Sequence, residues 1–326
     1  MPDSVLGKST PSDGSSMLRK SLLFLSHQPH IFRFVRNNGL AKKFASRFVA
    51  GETIASACDA VAALNKNRIS ASLDLLGESV SNEAEARETG RQYLELLSEI
   101  HRRKLDANVS VKLTALGQDI NDALCEEITR AILTRAKEYG SFVRLDMEGS
   151  AYTQRTLDFF AQRLYAEFPD NVGIVLQSAL RRTIDDVEWS IAKQCRVRIC
   201  KGAYLEPATV AFPDKRDVDA NYVSAMHRLM ERGRYPGVAT HDETIVNEAT
   251  RFAKTKGIAA DRFEFQMLYG VRRDLQDKIV REGWRMRVYV PFGTQWYPYL
   301  MRRLAERPAN LAFITGNVVK EMVRGR

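Results

Sequence analysis

The sequence predicts an α/β protein, a (β/α)8 TIM-like barrel preceded by N-terminal helices. From residue 68 onward, short β-rich runs alternate with amphipathic helical patterns. We count eight such units over about 250 residues, the size typical of a closed barrel. An open doubly wound sheet is the alternative. No two glycines in the chain stand two positions apart, so the GxGxxG turn of dinucleotide-binding sheets is absent.

The predicted strands recur at regular intervals. They fall at residues 69–76, 107–113, 142–147, 172–177, 197–200, 237–241, 263–266 and 286–290. Helical patterns fill the intervals, for example Tyr93, Leu96, Leu97 and Ile100.

Local signals set some helix ends. Thr183 followed by Asp186 predicts a capped helix start, and Gly140 predicts a helix end. We expect the last strand to end at Pro291 and the next helix to begin near Pro298.

The chain divides into three predicted segments. Residues 1–16 are rich in Ser, Pro, Gly and Asp, which is typical of a flexible tail. Residues 17–67 carry apolar positions at helical spacing and are expected to form helices beside the main domain. Residues 68–326 form the predicted barrel.

Composition excludes several classes of protein. A hydrophobic content of 44% is enough for a packed core, which excludes disorder for most of the chain. The net charge of +9 is spread among interleaved acidic and basic residues, which disfavours a nucleic-acid partner. Four cysteines without a CxxC pair indicate a reducing compartment. No apolar run has membrane-spanning length, so we expect a cytoplasmic protein with at most peripheral contact at the inner face of the membrane.

Polar side chains stand at the ends of the predicted strands. These positions are Asp74, Glu78, Lys112, Arg144, Asp146, Gln177, Arg198, Lys201, Thr240, His241, Glu264, Gln266 and Tyr289. If this rim, formed by the ends of the strands, had only a structural role, most residues there would be small or apolar. Because the carboxyl ends of barrel strands meet at one face, these groups predict a functional site there.

Single residues leave alternatives open. Lys112 stands between Val111 and Leu113 and is expected to point inward, although a solvated lysine is the alternative. Arg144 and Asp146 share a strand face, so they form either a surface ion pair or part of an inward network. His241 alone is a weak signal, because a lone histidine is more often a hydrogen-bonded core residue than a catalyst.

Arg198 and Lys201 flank a strand that opens into Gly202 and Ala203. These small residues let a planar or phosphorylated ligand approach the backbone, and the two cations balance its charge. The alternative is a solvated Lys-Gly turn.

The stretch 289–306 predicts a strand, a loop and a helix, with Arg302 and Arg303 following four aromatic residues. Such a pair suits a carboxylate or a phosphate beside an apolar wall. Alternatively, Arg302 pairs with Glu306 on an exposed helix.

Taken together and in order, these motifs resemble the proline dehydrogenases, flavin-dependent enzymes that oxidise L-proline. The segments that carry the resemblance are Asp74-Leu-Leu-Gly-Glu, Val111-Lys-Leu-Thr, Arg144-Leu-Asp-Met-Glu, Arg198-Ile-Cys-Lys-Gly-Ala-Tyr, Ala239-Thr-His-Asp, Phe263-Glu-Phe-Gln-Met-Leu-Tyr-Gly and the stretch from Tyr289 to Arg307. They run from about residue 69 to the C-terminus.

The resemblance implies a barrel that holds FAD noncovalently at its C-terminal face. It implies that Lys112, Arg302 and Arg303 bind the substrate carboxylate, and that Tyr289, Tyr299 and Leu268 enclose the pyrrolidine ring. Asp146 and Arg198 are the implied catalytic residues, with Arg198 near flavin N5. The implied FAD contacts are Met147, Gln177, Arg198, Lys201, Gly202, Ala203, Thr240 and His241. Glu78 is implied to pair with Arg302 as a gate over the substrate.

The implied reaction is oxidation of L-proline to 1-pyrroline-5-carboxylate by hydride transfer to flavin N5, the first step of proline catabolism to glutamate. A membrane quinone is the expected electron acceptor. The chain has no room for an aldehyde-dehydrogenase domain, so we expect a monofunctional enzyme coupled to a separate pyrroline-5-carboxylate dehydrogenase.

Two other functions remain to be weighed. A barrel lyase or aldolase would use Lys201 or Lys112 as a Schiff base. A basic binding protein without catalysis is disfavoured, because the aromatic residues cluster with the strand ends rather than along a basic face.

Overall fold

The computed structural model describes residues 45–77 and 79–306, the last five by their backbone only. The strands are β1 (Ser70–Leu75), β2 (Ala107–Val111), β3 (Val143–Leu145), β4 (Val172–Gln177), β5 (Arg196–Cys200), β6 (Gly237–Ala239), β7 (Glu264–Leu268) and β8 (Met286–Phe292). The helices are α1 (Ile54–Lys66), α2 (Glu83–Arg102), α3 (Asp122–Glu138), α4 (Ser150–Phe159), α5 (Thr183–Ala192), α6 (Lys215–Arg232), α7 (Glu243–Lys256), α8 (Arg273–Arg281) and α9 (Trp296–Glu306). A 3-10 turn (Thr114–Leu116) and a π-helical turn (Phe160–Leu164) complete the order.

The strands form a closed barrel in the order β1 to β8, and every neighbouring pair is parallel. Closure comes from β8, which pairs with β1 from Ser70 opposite Arg287 to Leu75 opposite Phe292. The predicted (β/α)8 barrel is therefore confirmed, and the open sheet is wrong.

The hydrophobic core lies between the strands and the helices. On β2, Val109 and Val111 are fully buried and belong to this core. The helical pattern predicted around Tyr93 is confirmed in α2, where Tyr93 and Leu96 are buried. Fully burying one such aliphatic side chain contributes about 1.5–3 kcal/mol.

The barrel interior, in contrast, is polar. The buried hydroxyls of Ser72 and Ser110 lie 3.1 Å apart across β1 and β2. Two glycines make room for long side chains: a Cβ at Gly173 would lie 2.7 Å from Nη1 of Arg144, and one at Gly237 would lie 2.5 Å from Nε2 of Gln266. Long polar side chains therefore extend across the barrel at positions where a neighbouring strand has a glycine.

Two predicted helix ends have different outcomes. Gly140 has a φ of +62° just beyond the end of α3, which confirms the predicted stop. The predicted cap of α5 is wrong. The Thr183 hydroxyl donates to the carbonyls of Gln177 and Leu180, and no side chain caps this helix.

The boundary between β8 and α9 also differs from its prediction. β8 continues through Pro291 to Phe292, and the Pro291 carbonyl accepts a hydrogen bond from the Ala50 amide. α9 begins at Trp296, so Pro298 lies in its first turn, where a missing N–H costs no helical bond.

Residues 47–294 form one compact unit, and α9 belongs to a separate one. Within the barrel unit, α1 packs against β1 and β8. The predicted tail, 1–16, lies outside the described residues, and the proposed boundary near residue 67 stays a prediction. None of the described helices is long and apolar enough to cross a membrane.

Candidate active site

Lys112 follows β2 directly and points to the carboxyl end of β1. Its Nζ donates to both carboxylate oxygens of buried Asp74, at 2.9 and 3.1 Å. The lysine side chain is itself only 12% exposed, so the expected inward orientation is confirmed. Burial alone would lower the pKa of the Lys112 amine. The negative charges of Asp74 and Asp146 outweigh burial and hold this pKa above its usual value, so Lys112 remains a cation.

Asp146, immediately after β3, joins Arg198 of β5 and Tyr289 of β8. Nη1 of Arg198 donates to Oδ1 of Asp146 at 2.7 Å, and the Tyr289 hydroxyl donates to Oδ2 at 2.7 Å. The guanidinium carbon of Arg198 lies 5.2 Å from the centre of the Tyr289 ring. Burial, together with the charges of Asp146 and Asp74, raises the pKa of Tyr289 well above its usual value. The phenol is therefore a neutral donor.

The inward network predicted for Asp146 exists, but its cation is Arg198 and not Arg144. Nη1 of Arg144 instead donates to the carbonyls of Ile174 and Arg196. Arg144 lies one inward position nearer the start of β3 than Asp146, and its guanidinium extends into the space left by Gly173.

Two further residues, to which the sequence assigned no role, accept hydrogen bonds from Arg198. Nε donates to Oε1 of Gln266 at 2.5 Å, and Nη2 donates to the hydroxyl of Ser110 at 3.2 Å. With Asp146, they bind all three guanidinium nitrogens, which fixes the plane of the buried group. Gln266 stood among the polar strand ends. Ser110 had no signal beyond its place in β2.

Lys201, just after β5, is ion-paired with two carboxylates. Its Nζ lies 2.6 Å from Oδ1 of Asp219 in α6 and 3.1 Å from Oδ2 of Asp242. Asp242 also caps α7 by accepting from the Thr244 amide. Asp219 lies inside a helix, so no strand-end pattern marks it in the sequence.

The remaining predicted cofactor residues line the same rim. Nε2 of Gln177 donates to the carbonyls of Met147 and Glu148, both at 3.2 Å. Nε2 of His241 accepts from the Leu268 amide at 2.9 Å, so this nitrogen carries no proton. The Thr240 hydroxyl accepts from the Asp242 amide.

Gly202 has a φ of +102°, a conformation that favours glycine. A Cβ there would stand 3.4 Å from that of Ala179 and 3.5 Å from that of Gln177. These are ordinary van der Waals distances, so the backbone conformation, and not a lack of space, favours glycine in the loop after β5. Ala203 follows it in the same loop.

A groove of about 730 Å³ begins at the carboxylates that hold Lys201. Lys215, Asp219, His227 and Asp242 are among its lining residues, and it runs between α6 and α7. It extends the rim outward from the β5 and β6 ends.

Part of the predicted substrate site cannot be placed. Glu78 and the side chains of Arg302 and Arg303 lie outside the described residues, as does the alternative pair of Arg302 with Glu306. Tyr299 is buried in α9, which belongs to the separate unit.

Comparisons with known proteins place the chain in one family. A sequence model of the family described as proline dehydrogenase matches residues 57–316. The chain belongs to the proline dehydrogenase family. It is 43% identical to the proline dehydrogenase of Deinococcus radiodurans over 309 residues, which cover 93% of this chain and 98% of that one. It is 40% identical to proline dehydrogenase 1 of Bacillus subtilis subsp. natto over 305 residues, which cover 94% of this chain and 100% of that one.

A solved structure shows the same fold. It is the crystal structure of proline utilization A from Bdellovibrio bacteriovorus inactivated by N-propargylglycine, with a TM-score of 0.78 and 27% identity. The match covers 94% of this chain and 40% of that longer protein.

Family membership confirms the prediction of a proline dehydrogenase, an oxidoreductase that acts on proline and depends on a flavin. The lyase is not favoured. A Schiff-base lysine needs a lowered pKa, whereas the pKa of Lys112 is raised and Lys201 is bound by two carboxylates. The carboxyl ends of the strands fit a flavin, since they offer the buried guanidinium of Arg198 and the buried side-chain amide of Gln177.

Proposed function

We propose that this protein oxidises L-proline to 1-pyrroline-5-carboxylate with bound FAD. The observation that carries the proposal is the Asp146, Arg198 and Tyr289 network beside the Lys112 and Asp74 pair, at the carboxyl ends of the barrel strands. It supplies oriented cations and a fixed phenol but no activated nucleophile. Such a site suits a cofactor that performs the redox chemistry itself.

Lys112 is proposed to bind the substrate carboxylate together with Arg302 and Arg303. Its raised pKa keeps it charged, and Asp74 fixes its position. Tyr289, Leu268 and Tyr299 are proposed to enclose the ring. Positive charge around the substrate also disfavours its ammonium form, which helps because the amine must be neutral to lose a hydride.

Bound FAD would accept the hydride of proline at N5. Arg198 is proposed to lie against the flavin, where its buried positive charge favours the electron-rich reduced state. Asp146 keeps Arg198 and Tyr289 in place. Its two oxygens accept hydrogen bonds from these two groups, so we assign it an orienting role.

Gln177, Lys201, Gly202, Ala203, Thr240, His241 and the backbone of Met147 are proposed to hold the cofactor. The groove that leads away from Lys201 supports FAD over the shorter FMN, because only a dinucleotide has a second half to place there.

We infer that electrons leave to a membrane quinone, which a cytoplasmic protein would meet by peripheral contact with the inner face of the membrane. The product would pass to a separate pyrroline-5-carboxylate dehydrogenase. Activity with a soluble quinone analogue would support the first inference.

The central test is the absorption spectrum of the purified protein, with and without L-proline under anaerobic conditions. We expect a yellow protein whose flavin band bleaches on addition of proline. A colourless protein that takes up no FAD would overturn the proposal. Borohydride trapping of a carbonyl substrate on Lys112 or Lys201 would favour the lyase instead.

Arg303→Met tests whether the pair Arg302 and Arg303 binds the substrate carboxylate. The change removes a charge-assisted bond to the carboxylate, so the KM for proline should rise about 10-fold or more while the flavin stays bound. Steady-state kinetics and the flavin spectrum measure both quantities. Arg281→Met, in α8, is the matched surface control. An unchanged KM in Arg303→Met would contradict the role.

A further inference from the structure

A second polar cavity, of about 150 Å³, lies at the opposite end of the barrel from the catalytic rim. Its walls come from the beginnings of the strands, with Asn108 on β2, Arg144 on β3, Arg196 on β5, Glu264 on β7 and Arg287 on β8. Arg196 stands one inward position before Arg198, so the cavity lies beneath the layer that supports the active site. The reaction at the rim gives it no role.

Glu264, whose carboxylate is buried in the wall of this cavity, is fully engaged. Oε1 accepts from Nε of Arg287 at 2.7 Å and from Nε2 of Gln266 at 2.6 Å, and Oε2 accepts from the Tyr235 hydroxyl at 3.1 Å. Asp106, at the exposed edge, accepts from the Ser70 hydroxyl. These contacts neutralise the charge of Arg287, but they do not involve Arg144 and Arg196, the other two arginines that line the cavity.

Arg144 and Arg196 form no ion pair with any carboxylate among the described residues. Nε of each is buried without a hydrogen-bond partner, and so is Oδ1 of Asn108. Arg144 is only 4% exposed. An unpaired buried cation is costly, so a native fold normally supplies a partner.

Aromatic rings hold both guanidinium groups at the cavity wall. The Arg144 guanidinium lies 4.8 Å from the centre of the Phe142 ring, and that of Arg196 lies 5.1 Å from the same ring and 5.3 Å from that of Tyr235. Burial, with the nearby positive charge of Arg198 and of Arg196, lowers the pKa of Arg144 to about 9. A negative charge in the cavity would stabilise the protonated guanidinium and raise this pKa again.

We propose that this cavity binds a small protonated oxyanion, of the hydrogen phosphate type, between Arg144 and Arg196. The charged oxygens of the ion accept hydrogen bonds from the two guanidinium groups. The planar set of N–H donors on each group suits an oxyanion. The remaining O–H donates to the unpaired Oδ1 of Asn108. The volume holds several water molecules, hence one such ion. The site is independent of the reaction proposed at the other end of the barrel.

The test is thermal unfolding of the dialysed holoenzyme against inorganic phosphate, at constant ionic strength set by a bulky organic salt. We expect a saturable rise in Tm of roughly 2–5 °C, because the ion binds the folded state alone. Sulfate, which has no O–H at neutral pH, should give a clearly smaller rise. Equal stabilisation by sulfate would overturn the choice of a protonated oxyanion.

Three variants locate the effect. Arg196→Gln, at a half-buried position, should lose most of the rise, whereas Arg91→Gln, an exposed arginine of α2, should keep it. Lys112→Met removes a cation of the catalytic rim and should also keep the rise. No saturable rise in the wild-type protein would mean that the cavity holds water only, and an unchanged rise in Arg196→Gln would place the ion elsewhere; either result overturns the proposal. If Arg196→Gln fails to fold, isothermal titration of the wild-type protein with phosphate still tests whether one ion binds, and the absence of binding would overturn the proposal.

Discussion

At the scale of the residue, Arg198 shows how this barrel specifies one orientation for one side chain. Asp146, Gln266 and Ser110 each take a different nitrogen of its guanidinium, and the Tyr289 ring lies against its face. A buried charge is stable only when its hydrogen bonds are satisfied. The arginine is therefore preorganised before any ligand arrives, which is the condition for electrostatic stabilisation of a redox state.

Asp146→Asn tests this arrangement. The amide keeps the shape of the side chain but removes the charge that pairs with Arg198, a loss of about 1.5–3 kcal/mol for a charged hydrogen bond. Because the variant loosens the orientation of Arg198 and leaves the proposed ligands of the substrate carboxylate unchanged, kcat should fall about 10- to 100-fold with a small change in KM.

Tyr289→Phe is the matched comparison, because it removes one neutral donor from the same carboxylate. Its effect on kcat should be smaller. Steady-state kinetics at several pH values, with the flavin content of each variant, measure the difference. Equal kcat in Asp146→Asn and wild type would show that the charge does not act in catalysis.

At the scale of the element, small residues decide where polar side chains can cross the barrel. A Cβ at Gly173 of β4 would lie 2.5 Å from the carbonyl oxygen of Arg196 and 2.7 Å from Nη1 of Arg144. Neither neighbour can move freely, since one is backbone and the other is bound to two carbonyls. A strand that looks merely apolar in sequence therefore has a strict steric requirement at one position.

Gly173→Ala should destabilise the fold by about 1–3 kcal/mol, the usual cost of overpacking a core. Gly77→Ala is the control, because a Cβ there meets no atom of the described residues within 4 Å and the backbone φ is not in the left-handed region. Urea unfolding followed by circular dichroism gives both midpoints. Similar midpoints for the two variants would contradict the steric argument.

At the scale of the whole molecule, charge is layered along the barrel axis. Asp74, Lys112, Asp146 and Arg198 lie toward the catalytic end, and Glu264 and Arg287 lie toward the other. Burial by itself would raise the pKa of Glu264, but Arg287 and the hydrogen bonds from its neighbours lower it below its usual value. The carboxylate consequently contributes stability above its ordinary pKa of 4.5, and this contribution is lost as the pH falls through the lower, folded-state value.

Glu264→Gln should therefore lower the free energy of unfolding at neutral pH by about 3–5 kcal/mol, because Arg287 keeps its burial and loses its partner. The same variant should lose less stability on acidification below pH 4.5 than the wild type does. Urea unfolding over a pH series measures both effects. Glu88→Gln, in an exposed pair on α2, should leave the midpoint nearly unchanged at neutral pH. A wild-type pH dependence in Glu264→Gln would rule out this carboxylate as its source.

Much of the fold and the rim could be predicted because both depend on periodic patterns. The alternation of strands and helices indicated the closed barrel, and strand-end positions indicated which polar residues meet. Contacts between elements were less predictable. Arg144 and Arg198 are both inward arginines on barrel strands, and only the position of each along the barrel axis determines which one reaches Asp146.

The sequence by itself determined the fold class and the family, because strand order, side-chain alternation and the motifs at the strand ends are written along the chain. Tertiary structure alone decided the pairs: Lys112 with Asp74, Lys201 with Asp219, and Arg198 with Asp146. It also left Arg144 and Arg196, at the other end of the barrel, without a carboxylate partner among the residues that the structure describes. Pairing depends on the distances between strands and helices that lie far apart in sequence. Burial then determines how much a paired charge stabilises the fold and how much an unpaired charge destabilises it.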